Sequence, residues 1–375
     1  MTEVTRIISI DDHVQETPDL WTSRLSSRFG NRAPRLVSEG GRDVWVVDGQ
    51  ELLGGRVCAA GGFLSDRTAH PDKWDAVPTA AYAPADRLKA MDAGGIDRSM
   101  LFPTVGGFAG EAFGTLNDPD LELACVQAYN DWLIEEWAGA SERFVPQCMV
   151  PIGPPDVTVA EIERAVGMGH RGVIFPSMPM LLRDAPHLAD HDYDPVWDVC
   201  EKLDVPVCMH SGATPRLHYA GYSGLPPTLL EAIEAVEKPV SSVFIMSVLS
   251  FSKLLLRHPR LRVVLAESAL SWGLLALEWA DHQFEHDGLP NEGYDLKPSE
   301  MFRRQCYFST WFDTVAPFTP FVGVDNIMWS ANLPLPTTTW PRIRHSIDQT
   351  MSGLSDEDRR KVLSENAAAL YKLDD

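Results

Sequence analysis

Eight short apolar runs recur along this chain, each closing on a small or polar residue and separated from the next by a segment of helical character. They read RIISID (6–11), SMLFP (99–103), FVPQCMVP (144–151), GVIFPS (172–177), VPVCMHS (205–211), RVVLAES (262–268), QCYFST (305–310) and NIMWSA (326–331). Runs that are apolar on both faces are expected where a strand is covered inside and out. Strands alternating with helices imply parallel pairing through right-handed crossovers, and eight such strands close into a barrel. The expected fold is therefore an α/β (β/α)8 TIM barrel. A length of 375 residues suits one barrel carrying insertions, and 45% hydrophobic residues supply its core.

The connecting segments carry helix signals. DPDLELACVQAYNDWLIEEWAG (118–139) places apolar residues at helical spacing behind an acidic start. DVTVAEIERAVGMGHRG (156–172) opens on Asp156 as a cap and stops at glycine. PVSSVFIMSVLSFSKLLL (239–256) is interrupted by serines and too short to span a bilayer comfortably, so it reads as a buried helix. Residues from about 16 to 82 break the rhythm. They hold DVWVVDGQELLGG, a hairpin turning on Asp48-Gly49, and read as an insertion after the first strand that caps the barrel mouth. Residues from about 355 to 375 read as a closing helix capped by Ser355, within one domain spanning 1–375.

The net charge of −21 has no basic stretch to offset it, which argues against nucleic acid and against an anionic membrane surface. The six cysteines show no CxxC pair, and several lie in apolar runs, as buried reduced thiols do. The start MTEVTRIISIDDH lacks the charged-then-apolar pattern of a signal peptide, so a cytoplasmic location is expected.

In such a barrel, chemistry gathers where strands run into the following loops. Those ends carry Asp11, Asp12 and His13, then Ser177, His210, Glu267 and Asn332. Imidazoles and carboxylates converging from separate strands have the composition of a Zn²⁺, Mn²⁺ or Fe²⁺ site. Each residue also has a plainer reading. A lone histidine at a strand end often just hydrogen-bonds a loop, and Glu267 is equally accounted for by a salt bridge to Arg171 or Arg216. Asp12 and Glu16 read as loop residues. His70, His170, His187, His191, His258, His282, His286 and His345 read as surface groups. Ser177, His218 and Trp340 are placed in the substrate pocket.

The stretches ISIDDHVQETPDLW (8–21), DRLKAMDAGGIDRSMLFP (86–103), RGVIFPS (171–177), YDPVWDVCEKLDVPVCMHSG (193–212), HPRLRVVLAESALSWGLLALEWAD (258–281), VGVDNIMWSANLPLPTTTWP (322–341) and LSENAAALYKL (363–373) follow one another along nearly the whole chain. Together they resemble the amidohydrolase superfamily, in the amidohydrolase-related branch that holds aminocarboxymuconate semialdehyde and resorcylate decarboxylases. The resemblance implies one divalent metal, zinc first and manganese or iron as alternatives. It implies ligands at Asp11, His13, His210 and the place of Asn332, where relatives carry aspartate, and a catalytic histidine at the place of Glu267. A neutral amide cannot accept a proton near neutral pH, so Asn332 is excluded as a base and Glu267 is expected to take over, as base or as a further ligand.

The activity implied is hydrolysis or non-oxidative decarboxylation of a small organic compound at a site altered at Asn332 and Glu267. The alternative is a subunit of a metal-dependent oxygenase of the amine N-hydroxylase type, paired with a homologous chain and possessing a drifted site. A third reading is a metal-free barrel used for assembly. An oligomer, of one chain or with a homologous one, is expected by the same resemblance. The tryptophans of DWLIEEW and LALEWADHQF either supply its interface or pack barrel helices onto strands.

Overall fold

The computed structural model describes residues 6–25, 27–56, 63, 71–213 and 225–373. Each of the eight runs forms a strand: β1 (Ile8–His13), β5 (Arg98–Phe102), β6 (Phe144–Met149), β7 (Gly172–Ile174), β8 (Val207–His210), β9 (Val263–Ala266), β10 (Cys306–Thr310) and β11 (Ile327–Trp329). They pair in parallel in that order. The last strand returns to the first: the Asn332 amide donates to the Asp11 carbonyl at 3.0 Å, and the Ala331 amide to Ser9 Oγ at 2.7 Å. The sheet is thus an almost closed barrel, as its pattern predicts.

Strand alternation divides the core in two. Ile8, Ile10, Met100, Phe102, Val145, Ile174, Cys208, Val264, Ala266 and Met328 form one cluster, the barrel interior. Ile7, Leu101, Phe144, Cys148, Val173, Val207, Val263, Leu265 and Trp329 join the larger layer between strands and helices. Ala367, Tyr371 and Leu373 of the closing helix belong to the interior cluster. The Tyr371 hydroxyl lies 3.3 Å from Cys208 Sγ, so this helix plugs the barrel from the end opposite the strand termini. Its first turn is capped by Ser355 Oγ, which accepts the Asp358 amide.

The segment after β1 leaves the barrel. It forms an antiparallel sheet of β2 (Arg35–Glu39), β3 (Arg42–Val47) and β4 (Gln50–Arg56). Asp48 and Gly49 make the β3–β4 turn at φ 51° and 78°, the left-handed pair that a two-residue hairpin needs. Trp21 meets both Trp45 and Phe113 edge-on at 5.5 Å, and Arg32 pairs with Asp118 at 2.8 Å. Phe113 and Asp118 lie beyond β5, so this sheet leans on the mouth end. Residues 57–62 and 64–70 of the expected cap lie outside the described residues.

Several expectations change. The helix Pro155–Met168 is capped at Pro154, two residues before the Asp156 cap expected, so Asp156 sits in its first turn and faces the helix dipole without capping it. The helix Val240–Phe251 is buried on one side: Ile245, Met246 and Leu249 face the core, whereas Phe244 stays 52% exposed. Trp132 and Trp137 are core residues, while Trp279 is 67% exposed. His170 and His258 are buried, not surface groups; His170 Nε2 meets the Asn130 carbonyl and His258 Nε2 meets Asp194. The five described cysteines are free and buried, and Cys58 lies outside the described residues. Among the described residues no helix is long and apolar enough to cross a membrane.

Candidate metal centre

The register of β1 decides which of its polar residues enter the barrel. It pairs Ser9 with Ser99 but then Asp12 with Leu101, so β1 spends one more residue than β5 over this interval. That bulge re-aims the residues beyond it. Ile8 and Ile10 are interior; past the slip, Asp11 and His13 turn inward and Asp12 outward, where its carboxylate accepts from Ser99 and from the Leu333 amide. On β8, His210 stands two residues after the interior residue Cys208 and so shares its side. The result is a trio of Asp11, His13 and His210 whose ligand atoms all lie within 4.8 Å of one another.

Asp11 Oδ1 is 3.4 Å from His13 Nε2 and 3.5 Å from His210 Nε2. The other ring nitrogens are occupied: His13 Nδ1 lies 3.0 Å from the Pro103 carbonyl and His210 Nδ1 lies 2.7 Å from the Ser211 carbonyl. A carbonyl only accepts, so both rings carry their proton on Nδ1 when neutral and turn the Nε2 lone pair toward Asp11. Burial alone raises the Asp11 carboxyl, but His210 and His13 outweigh it and hold it below the usual carboxylate range. Burial lowers His210, yet Asp11 and Glu267 raise it above the ordinary imidazole value. Both Asp11 oxygens and both Nε2 atoms are buried without a hydrogen-bond partner. Buried polar atoms are rarely left so, and four of them converging is the arrangement a divalent cation satisfies. The donor set fits such an ion.

Glu267 stands beside this trio. Its Oε2 is 3.9 Å from His210 Nδ1, the ring nitrogen turned away from Asp11, and 3.8 Å from Lys238 Nζ. Lys238 is the cation met there, in place of the Arg171 weighed from sequence; Arg216 lies outside the described residues. Asn332 Nδ2 donates to Glu267 Oε1 at 3.0 Å and to Thr337 Oγ1 at 2.7 Å. Its Oδ1 is buried without a hydrogen-bond partner, as is Glu267 Oε2. Both residues hold left-handed backbones, φ 47° for Glu267 and 57° for Asn332, a conformation costly for non-glycine residues and frequent at functional sites.

Of the pocket residues, Ser177 is buried three residues past β7. Trp340 donates its indole N–H to the Ala90 carbonyl at 3.1 Å and meets Phe63 edge-on at 5.1 Å. His218 lies outside the described residues. Asp12 belongs to β1 rather than to a loop, and Glu16 is buried, its carboxylate accepting the Thr104 and Val105 amides. Nothing in the sequence singles out Thr337 and Lys238, which meet Asn332 and Glu267. Phe108, whose ring centroid lies 4.4 Å from that of His13, has a local signal in the glycine-flanked GGFAGE (106–111).

A profile of the amidohydrolase family matches residues 65–373. The chain belongs to this family. The chain is 28% identical over 317 residues to the gamma-resorcylate decarboxylase of Rhizobium sp. strain MTP-10005, covering 77% of its own length and 86% of that protein. Its fold is similar to that of an amidohydrolase from Mycobacterium avium subsp. paratuberculosis, at TM-score 0.79 and 21% identity, over 98% of this chain and 99% of the other. It is also similar to a dihydroxybenzoic acid decarboxylase from Polaromonas sp. JS666, solved with manganese and the inhibitor 2-nitroresorcinol, at TM-score 0.68 and 20% identity, over 98% and 97% of the two chains.

Proposed function

We propose that this chain is a divalent-metal-dependent lyase that removes CO₂ from a small hydroxylated aromatic acid without an oxidant. The observation that carries the reading is the buried trio of Asp11, His13 and His210 with its unpartnered ligand atoms, in a chain related to decarboxylases of aromatic acids. Asp11, His13 and His210 would hold the cation, with Asn332 Oδ1 available as a neutral fourth donor. Manganese, present in a structural relative, stands beside zinc as the cation. When bound, the metal supplies Lewis-acid polarisation and charge neutralisation for the substrate's oxygens.

The remaining chemistry falls to Glu267. Decarboxylation of an arene needs a proton at the carbon bearing the carboxylate. The C–C bond then breaks, its electron pair returns to the ring and CO₂ leaves. Asn332 donates to Glu267 Oε1, which leaves Oε2 as the oxygen that carries the proton. Solvent reprotonates it for the next turnover. Asn332 thus orients an acid that stands where the family pattern has its catalytic histidine.

The proposed enzyme is one barrel domain with its cap, cytoplasmic, and an oligomer with Trp279 at its interface. The test is the manganese-loaded chain with 2,6-dihydroxybenzoate and related hydroxybenzoates. Metal-dependent CO₂ release without oxygen uptake is expected. Oxygen consumption, with a homologous chain co-purifying, would reassign it to the oxygenase-subunit class. Hydrolysis of esters or amides without CO₂ release would make it a hydrolase.

A further inference from the structure

The loop after β5 brings an aromatic ring over the two histidines. Phe108 lies with its centroid 4.4 Å from the His13 ring and 4.9 Å from the His210 ring. Phe102 also faces both, at 5.8 and 5.4 Å, but is fully buried, whereas Phe108 keeps part of its surface accessible. The Phe108 loop is held from its own backbone. Glu111 accepts the Phe108 amide at 3.2 Å and the Ala109 amide at 2.8 Å. Gly107 and Gly110 sit at φ 87° and 81°, and a Cβ on Gly107 would collide with the Glu111 carboxylate. Two turns that favour glycine and one carboxylate therefore fix where the ring stands.

We infer that Phe108 is a specificity-determining residue, the wall on which the substrate's ring stacks beside the metal ligands, and that Glu111 is its positioning residue. The inference rests on the aromatic-acid reading above. A partly exposed ring bordering two imidazoles offers a planar substrate an offset or edge-on partner. It offers an aliphatic acid of the same charge much less, so the wall selects for aromaticity and not for the carboxylate.

The experiment uses the manganese-loaded full chain, with calorimetric titration of 2-nitroresorcinol and turnover of 2,6-dihydroxybenzoate. Phe108→Leu keeps the apolar cover and removes the ring; Phe108→Ala removes both. Phe108→Leu is expected to weaken 2-nitroresorcinol binding and raise KM about three- to tenfold, given what an aromatic pair contributes. Its kcat should stay within about twofold, with metal content retained. Glu111→Gln, which replaces one accepting oxygen by a donor, should shift KM the same way. Unchanged affinity and KM in both Phe108 variants of an active enzyme would overturn this inference alone. Loss of manganese in Phe108→Leu would overturn it in favour of a shielding role. A wild-type enzyme that neither binds nor turns over these aromatics would overturn both readings.

Discussion

Asn332 Nδ2 donates to Glu267 Oε1 at 3.0 Å, joining the ends of two barrel strands through residues that both hold left-handed backbones. The pair joins a neutral amide to a carboxylate where two carboxylates would repel. Asn332→Asp replaces the donor by a second negative charge, and like charges this close raise one another's pKa. The variant should lose activity or stay flat. Glu267→Gln, which removes the proton carrier, should lower kcat by about 10²–10⁴-fold. Steady-state CO₂ release by the two variants checks this. A large gain for Asn332→Asp with no loss for Glu267→Gln would refute the rebuilt site.

Asp194 gathers three cationic or imidazole partners: Arg257 at 2.9 Å, His258 at 3.0 Å and His191 at 2.6 Å. Burial raises its carboxyl, but the hydrogen bonds from His258, Arg257 and His191 outweigh it and bring the pKa from 3.8 down to about 2. A depressed carboxyl stabilises the fold above its unfolded pKa, and that contribution is lost as pH falls from 3.8 through about 2. Asp194→Asn should cost on the order of 1 kcal/mol at pH 6, allowing for solvent screening. The wild-type advantage should shrink in urea unfolding at pH 3. An equal difference at both pH values would contradict the assignment.

Leu275 and Trp279 line an apolar groove with Val243 and Met246, between the helices Val240–Phe251 and Ser271–His286. Large exposed apolar surfaces of this kind commonly mark contacts between proteins. The chain is expected to run as an oligomer in light scattering at micromolar concentration, and Trp279→Asp to lower its mass. A monomeric wild type would end that expectation.

How much of this was legible in the sequence depends on where each contact lies along the chain. Strands covered on both faces are apolar throughout, so all eight could be found from the apolar runs alone. The slip between Ser9 and Asp12 could not. Strict alternation groups Asp12 with Ile8 and Ile10 and sends Asp11 and His13 to the outer face; the bulge reverses this, and nothing local in ISIDDH announces it. Glu267 and Asn332 were visible as departures from a family pattern. Their link to each other, 65 residues apart, and that of Glu267 to Lys238 depend on the tertiary fold, whereas Thr337 meets Asn332 from within the same loop. His170 and His258 looked like surface histidines because their partners, Asn130 and Asp194, are 40 and 64 residues away.

The central claim is that Asp11, His13 and His210 hold a divalent cation. Metal content per chain, measured by plasma mass spectrometry after equilibration with manganese and desalting, tests it most directly. The wild type should retain about one ion per chain, and the double variant His13→Ala/His210→Ala should retain almost none while its far-ultraviolet circular dichroism is unchanged. Retention of the full stoichiometry by that folded double variant would place the metal elsewhere and contradict the account.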